Sequence, residues 1–194
     1  MSVSRETDAM EAYAGLLAKW NRTIRLVGQS RDRAALLADL RESLILAPWV
    51  RSEGIVDLGS GNGLPAVPLA IHDTARHFTL IESDARKAAF LNAVRRDLAL
   101  PNVTVMRERI EHVPPLAAGE IIARAFAPLA RLLTLALPHL ATGGRMLLLK
   151  GAGVGGEIAE ARRSFAFDHE IIDVEGARGC VLVLEGIRPI RCAR

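Results

Sequence analysis

Ile55-Val56-Asp57-Leu58-Gly59-Ser60-Gly61-Asn62-Gly63-Leu64-Pro65 is the stretch that decides how this chain folds. An apolar run leads into an acid, and three glycines then stand at alternate positions ahead of a helix-compatible segment. Glycine has no Cβ, so it turns at positive φ and lets a ligand lie against bare backbone. A strand, a glycine-rich turn and a helix in that order aim free helix N–H groups and the positive helix end at a nucleotide-like cofactor. The dinucleotide fingerprint wants a small residue where Leu64 stands.

Working outward, short β-like runs alternate with helix-like segments from residue 54 onward. Strands are expected at Gly54–Leu58, His77–Glu82, Asn102–Met106, Glu120–Arg124, Arg145–Lys150, His169–Val174 and Cys180–Gly186. Helices are expected at Ala66–Ile71, Ala85–Leu98, Leu129–Leu140 and Glu157–Phe165. This alternation predicts an α/β fold with a doubly wound, mostly parallel sheet. Only Glu175 to Gly179 separate the last two strands, too few residues for a crossover helix, so these strands form an antiparallel C-terminal hairpin. The first fifty residues carry helical periodicity instead, over Ala9–Trp20 (Tyr13, Leu16, Leu17, Trp20) and Ala34–Pro48. The expectation is an N-terminal helical extension, residues 1–50, packed on a domain of residues 51–194 as one compact unit.

The 194 residues are 50% hydrophobic and 24% charged, a globular balance rather than a disordered one. The longest apolar runs, such as Met146–Leu149, are far too short to span a bilayer. The first residues are polar and lack a signal-peptide core. Two cysteines, Cys180 and Cys192, have no metal-like spacing, and the five histidines form no ligand-like cluster. These features predict a cytoplasmic protein with no structural metal and no membrane partner. Net charge is +3, with a basic excess between Pro101 and Lys150, and nearly all the cations are arginines. Arginine's planar fork suits phosphates and guanine edges, so RNA or DNA is a compatible partner.

A second acid, Glu82, ends the second predicted strand. A carboxylate there accepts both ribose hydroxyls of a nucleoside cofactor. Asp57, the loop glycines Gly59, Gly61 and Gly63, and Glu82 together have the pattern of S-adenosylmethionine-dependent methyltransferases. A tight turn would account for the glycines alone, but not for the strand, the loop and Glu82 together.

Beyond the loop, the chain resembles the glucose-inhibited division protein B family, the small-subunit ribosomal RNA guanine-N7 methyltransferases. The matching segments are Lys19-Trp20-Asn21, Ser43, Ala47-Pro48, Val56 through Pro65, Pro68-Leu69, Glu82-Ser83, Arg86-Lys87, Phe90-Leu91, Arg109-Ile110-Glu111, Ala123-Arg124-Ala125 and Leu149-Lys150-Gly151. They run in order over nearly the whole chain. The family usually has Gly where Ala66 stands, His where Asp39 stands, and Asp where Glu42 and Glu82 stand. Asp39 reverses the chemistry of the usual His and is assigned no shared role. The resemblance implies a class I methyltransferase sheet and S-adenosylmethionine as cofactor. It also implies that Gly59 and Leu64 line the methionine and ribose part, that Ile110 and Glu111 lie at the adenine, and that Arg124 sits beside the reacting groups as the catalytic residue. Read without the resemblance, Glu111 equally suits a helix-dipole acid and Arg109 a solvated cation; a structural ion pair competes for Arg124, where a site role is favoured.

Absences narrow the acceptor. Exocyclic-amine methyltransferases commonly carry Asn/Asp-Pro-Pro-aromatic where this chain reads Ala123-Arg124-Ala125-Phe126. Cytosine C5 chemistry needs a cysteine nucleophile near a strand end, which neither Cys180 nor Cys192 supplies well. Guanine N7 needs neither device, because its lone pair is nucleophilic at neutral pH. Arg22, Arg25, Arg86, Lys87, Arg109 and Lys150 are candidate RNA contacts, on small-subunit ribosomal RNA or a 30S-type particle. Other readings open at this point are a methyltransferase for another RNA or a small molecule, an NAD-dependent oxidoreductase, and a non-catalytic RNA-binding protein.

Overall fold

The computed structural model describes residues 3–28, 31–124 and 126–190; Ala125 and Cys192 lie outside the described residues. Two helices lead the chain, α1 (Val3–Trp20) and α2 (Arg33–Ser43), the latter continuing as a 3-10 helix over Leu44–Trp49. Then come β1 (Gly54–Leu58), α3 (Ala66–His72), β2 (His77–Ile81), α4 (Ala85–Asp97), β3 (Val103–Met106) and a 3-10 turn at Ile110–His112. The second half runs β4 (Ala118–Arg124), α5 (Leu129–Ala136), β5 (Leu140–Lys150), α6 (Val154–Ala161), β6 (Phe165–Asp173) and β7 (Cys180–Pro189).

The seven strands form one sheet in the order β3-β2-β1-β4-β5-β7-β6. The first five are parallel, while β7 pairs antiparallel with both β5 and β6. This is the doubly wound sheet with a terminal hairpin that the β-α alternation predicts. The strand order reverses between β1 and β4, so the carboxyl ends of those two strands flank the crevice where open α/β sheets hold ligands.

Strand periodicity sorts the core into two layers. Ile55, Phe78, Leu80, Val181 and Val183 face a cluster that includes Tyr13 and Leu17 of α1, Leu36 and Leu40 of α2, Leu69 of α3 and Phe90 of α4. Val56, Leu58, Ile121, Leu182 and Leu184 face the other way, against Leu132 and Leu133 of α5 and Ile158 of α6. The N-terminal helices therefore share a core with β1, rather than forming a separate one. Helix starts follow local chemistry: Asp32 caps α2 by accepting from the Ala35 N–H at 2.8 Å, and Asp84 caps α4 by accepting from those of Arg86 and Lys87.

Element ends differ from expectation where proline or glycine intervenes. Helix α5 stops at Ala136 and passes into a 3-10 turn containing Pro138, because proline clashes with the carbonyl four residues back. Pro48 likewise lies in 3-10 geometry. Helix α6 begins at Val154, earlier than expected: Gly153, Gly155 and Gly156 read as loop, yet Val154 and Ile158 bury as an i, i+4 pair. Phe165, expected to end that helix, instead starts β6.

Candidate functional site

The glycine loop leaves β1 with Gly59, Gly61 and Gly63 at φ +67°, +54° and +85°. The Gly61 N–H donates to Glu82 Oε2 at 2.8 Å, and the Asp84 N–H donates to Oε1 at 2.7 Å. Glu82 thus ties the loop to the start of α4, and each of its oxygens keeps a lone pair, the complement of two ribose hydroxyls. Gly59, Gly61, Glu82, Arg109, Ile110 and Glu111 all line one cavity of ≈ 380 Å³. Leu64 opens instead onto an adjoining cavity of ≈ 340 Å³, shared with Gly59, Gly61, Lys87 and Arg124. Gly63 faces inward, away from both cavities. A Cβ on Gly61 would meet only the Gly59 carbonyl, at 3.6 Å, and would use up cleft space. A Cβ on Gly59 would fall within the ring of Phe126. A bare-backbone cradle, an unspent carboxylate edge and a cleft at the strand-order reversal fit an adenosyl cofactor.

Glu111 makes a 3.3 Å ion pair with Arg109 and a 3.9 Å pair with Arg131. Its own backbone N–H, ahead of Arg109, holds its carboxyl below the usual range.

Beneath the loop lies Tyr13, which the sequence showed only as an apolar helix position. Its hydroxyl donates to the Asn62 carbonyl, and its ring stacks on Phe90 with centroids 6.4 Å apart. A Cβ on Gly63 would stand 2.5 Å from Tyr13 Oη and 2.7 Å from Val67 Cγ2, so α1 shapes the glycine loop directly. Beside it, Asp57 is 1% exposed, and its Oδ2 accepts no hydrogen bond among the described residues. Burial pushes this carboxyl up to about 7; the Ser60 hydroxyl opposes the shift and the Glu82 charge adds to it.

At the end of β4, Arg124 Nη2 pairs with Glu42 Oε2 at 2.9 Å and lies 3.8 Å from Asp39 Oδ1. Arg178, from the turn between β6 and β7, pairs with both acids, and Arg31 reaches Asp39 at 3.4 Å. Helix α2 therefore carries an acid pair that fixes two arginines at the site. Sequence reasoning missed Glu42 and Arg178 as partners, because residues 42, 124 and 178 meet only through the fold. The departures from the family pattern at Asp39 and Glu42 were the available signals. Arg124 is both ion-paired and cleft-lining: it borders the ≈ 340 Å³ cavity and a larger one of ≈ 770 Å³. The larger cavity also takes in Phe126, Lys150, Glu157 and Cys180, and burial pushes the Cys180 thiol up.

Of the other candidate cations, Lys87 and Arg109 line the ≈ 380 Å³ cavity, and Lys150 is bound to Glu157 at 2.6 Å. Arg86 is exposed on the first turn of α4, while Arg22 and Arg25 are exposed just past α1. Among the described residues no group of acids, histidines and cysteines is arranged to hold a metal, and no helix is long and apolar enough to cross a membrane.

A family model described as rRNA small subunit methyltransferase G (GidB) matches residues 6–177. The chain belongs to this family. A curated relative from Cereibacter sphaeroides, named ribosomal RNA small subunit methyltransferase G, is 44% identical over 180 residues, covering 88% of this chain and 85% of the relative. A relative of the same name from Gluconobacter oxydans is 45% identical over 174 residues, covering 88% and 89%. Among solved structures, a SAM dependent methyltransferase from Aquifex aeolicus superposes with a TM-score of 0.60 at 15% identity, covering 87% of this chain and 96% of that one. That last likeness shows the methyltransferase fold, and family membership carries the methyltransferase assignment.

Proposed function

We propose that this family member uses S-adenosylmethionine to methylate N7 of one guanine in small-subunit ribosomal RNA. The observation that carries the reading is a shared wall. Phe126 and Ala127 line both the cofactor cleft and the ≈ 770 Å³ cavity beside it, which places an acceptor-sized space against the glycine loop. Nucleotide-sized ligands fit cavities of this scale.

When bound, the cofactor supplies an electrophilic methyl group on a sulfonium. Gly59, Gly61, Leu64, Glu82, Ile110 and Glu111 would hold it, with Gly63 setting the loop's shape from below. Guanine N7 needs no general base, so the protein's task is to position the base and to balance charge. Arg124 is suited to both, being cationic, partly buried and held by Glu42. It grips O6 or an adjoining phosphate, since a bidentate grip on O6 and N7 would cover the reacting atom. The raised thiol of Cys180 makes it a poor nucleophile, which disfavours cytosine C5 chemistry in the same cavity.

The target base is unstacked or presented in a loop, because the A-form major groove is closed to side chains. Arg22, Arg25, Arg86, Lys87 and Arg109 contact its flanking backbone, in ribosomal RNA or a 30S-type particle in the cytoplasm. Borohydride–aniline cleavage of small-subunit RNA, from cells with and without the protein, tests the reading. One protein-dependent cleavage at a guanine is expected, and identical patterns would overturn it.

A further inference from the structure

The larger cavity holds a charged pair whose chemistry matches one edge of one base. Lys150, at the end of β5, is 10% exposed, and its Nζ lies 2.6 Å from Glu157 Oε2 and 3.4 Å from the Ala127 carbonyl. Glu157, in the first turn of α6, also accepts the Leu129 N–H on that same Oε2 at 2.9 Å. Its Oε1 takes no hydrogen bond among the described residues. The pair therefore presents an ammonium donor beside an unspent carboxylate oxygen. Glu42, the cavity's other carboxylate, has both oxygens engaged by Arg178 and one also by Arg124.

The Watson–Crick edge of guanine carries the acceptor O6 beside two donors, N1–H and N2–H₂. Adenine presents a donor and an acceptor there, cytosine a donor and two acceptors, and uracil a donor between two acceptors. Guanine alone offers a carboxylate two adjacent donor groups beside an acceptor for the ammonium; each of the other bases offers it one.

Resting on the N7-methylation reading, we propose that Lys150 and Glu157 select guanine by its Watson–Crick edge. Lys150 donates to O6, and the free Oε1 of Glu157 accepts from N1–H and N2–H₂ together, as two neighbouring donors that converge on one oxygen. Lys150 then contacts the base rather than a phosphate. A base held by that edge keeps N7 free, on the other side of O6, and Phe126 and Ala127 join this cavity to the cofactor cleft.

The test compares guanosine with inosine, which keeps O6, N1–H and N7 but lacks the 2-amino group. Transcripts carry one or the other at the mapped position, assembled into subunit particles if naked RNA is not accepted. The wild-type protein is expected to methylate the inosine substrate about 10- to 100-fold more slowly in kcat/KM, the worth of a hydrogen bond to a charged acceptor. Glu157→Gln still accepts the Leu129 N–H but turns an amide donor toward the base, so it is expected to lose most of that discrimination. Its affinity for S-adenosylmethionine by calorimetry is expected to stay unchanged. Equal wild-type rates on the two substrates would overturn the assignment whatever the variant does. Full discrimination retained in a folded Glu157→Gln protein would overturn it as well. Absence of methylation on the guanosine substrate would mark failure of the N7 reading itself.

Discussion

Gly63→Ala isolates the contact by which the first helix shapes the cofactor loop. Gly63 has φ +85°, and a Cβ there would stand 2.5 Å from Tyr13 Oη, 2.7 Å from Val67 Cγ2 and 3.1 Å from Leu91 Cδ2. Left-handed backbone costs a non-glycine residue about 1–2 kcal/mol, and forcing a methyl into a packed core adds about 1–3 kcal/mol. The expected loss is therefore about 2–5 kcal/mol, a large part of a typical domain's roughly 5–15 kcal/mol. Gly61→Ala is the control: φ is again positive at +54°, but the new Cβ meets only the Gly59 carbonyl at 3.6 Å. It is expected to cost the backbone part alone, about 1–2 kcal/mol. Urea unfolding of both variants, with and without Tyr13→Phe, gives the comparison. By itself, Tyr13→Phe removes the hydrogen bond to the Asn62 carbonyl and is expected to cost about 1 kcal/mol. In the Gly63→Ala background it also removes the atom nearest the new methyl, so the two changes are expected to couple by about 0.5–3 kcal/mol. Equal losses for Gly63→Ala and Gly61→Ala, or strict additivity with Tyr13→Phe, would refute the idea that Tyr13 sets the loop.

The Asp57 carboxyl is raised on folding from its ordinary range near 3.8 to about 7, so the native state binds a proton that the unfolded chain has released. Its contribution is accordingly intact below pH ~4 and lost as pH rises through about 7, by up to about 4 kcal/mol. Unfolding measured between pH 4 and pH 8 is expected to show this fall, and Asp57→Asn is expected to flatten it. Arg124→Ala is expected to lower kcat/KM for methyl incorporation by about 100-fold or more, as removal of a positioned charge-stabilising donor does; full activity would remove Arg124 from the mechanism. Arg178 is half exposed and shares its acids with Arg124 and Arg31, so Arg178→Ala is expected to cost about 1 kcal/mol or less in urea unfolding. Arg145→Ala removes the cation from the buried carboxylate of Glu120, which accepts from Arg145 Nε at 2.7 Å and keeps the backbone N–H donors of Arg51 and Ser52, and is expected to cost about 3–5 kcal/mol.

The order of elements was legible because strand and helix periods differ and glycine and proline punctuate the chain. The 55–65 segment identified its turn unaided, since three alternating glycines after a buried strand fit few other structures. The paired hairpin strands were readable from the short Glu175–Gly179 connection. The positions of Gly59, Gly61 and Glu82 at one cleft also followed locally, because the end of β1 and the end of its neighbour β2 are brought together by parallel pairing.

The roles of α1 and α2 were not readable in this way. Tyr13 looked like one more apolar helix position, and Asp39 and Glu42 stood out only as departures from the family pattern, with no partner to assign them. Arg31 apart, the partners that place them at the site (Asn62 for Tyr13, Arg124 and Arg178 for the acids) lie between 49 and 139 residues away along the chain, and no local pattern encodes such pairs. The glycine loop and its strand-end acid were readable locally, because bond geometry and periodicity act over a few residues. Only the tertiary structure decided what surrounds that loop: Tyr13 beneath it, Phe126 over Gly59, the acid pair that holds Arg124 and Arg178, and the Lys150–Glu157 edge facing the larger cavity. Side chains from separate elements meet there because burying the two faces of the sheet leaves the helices few ways to pack.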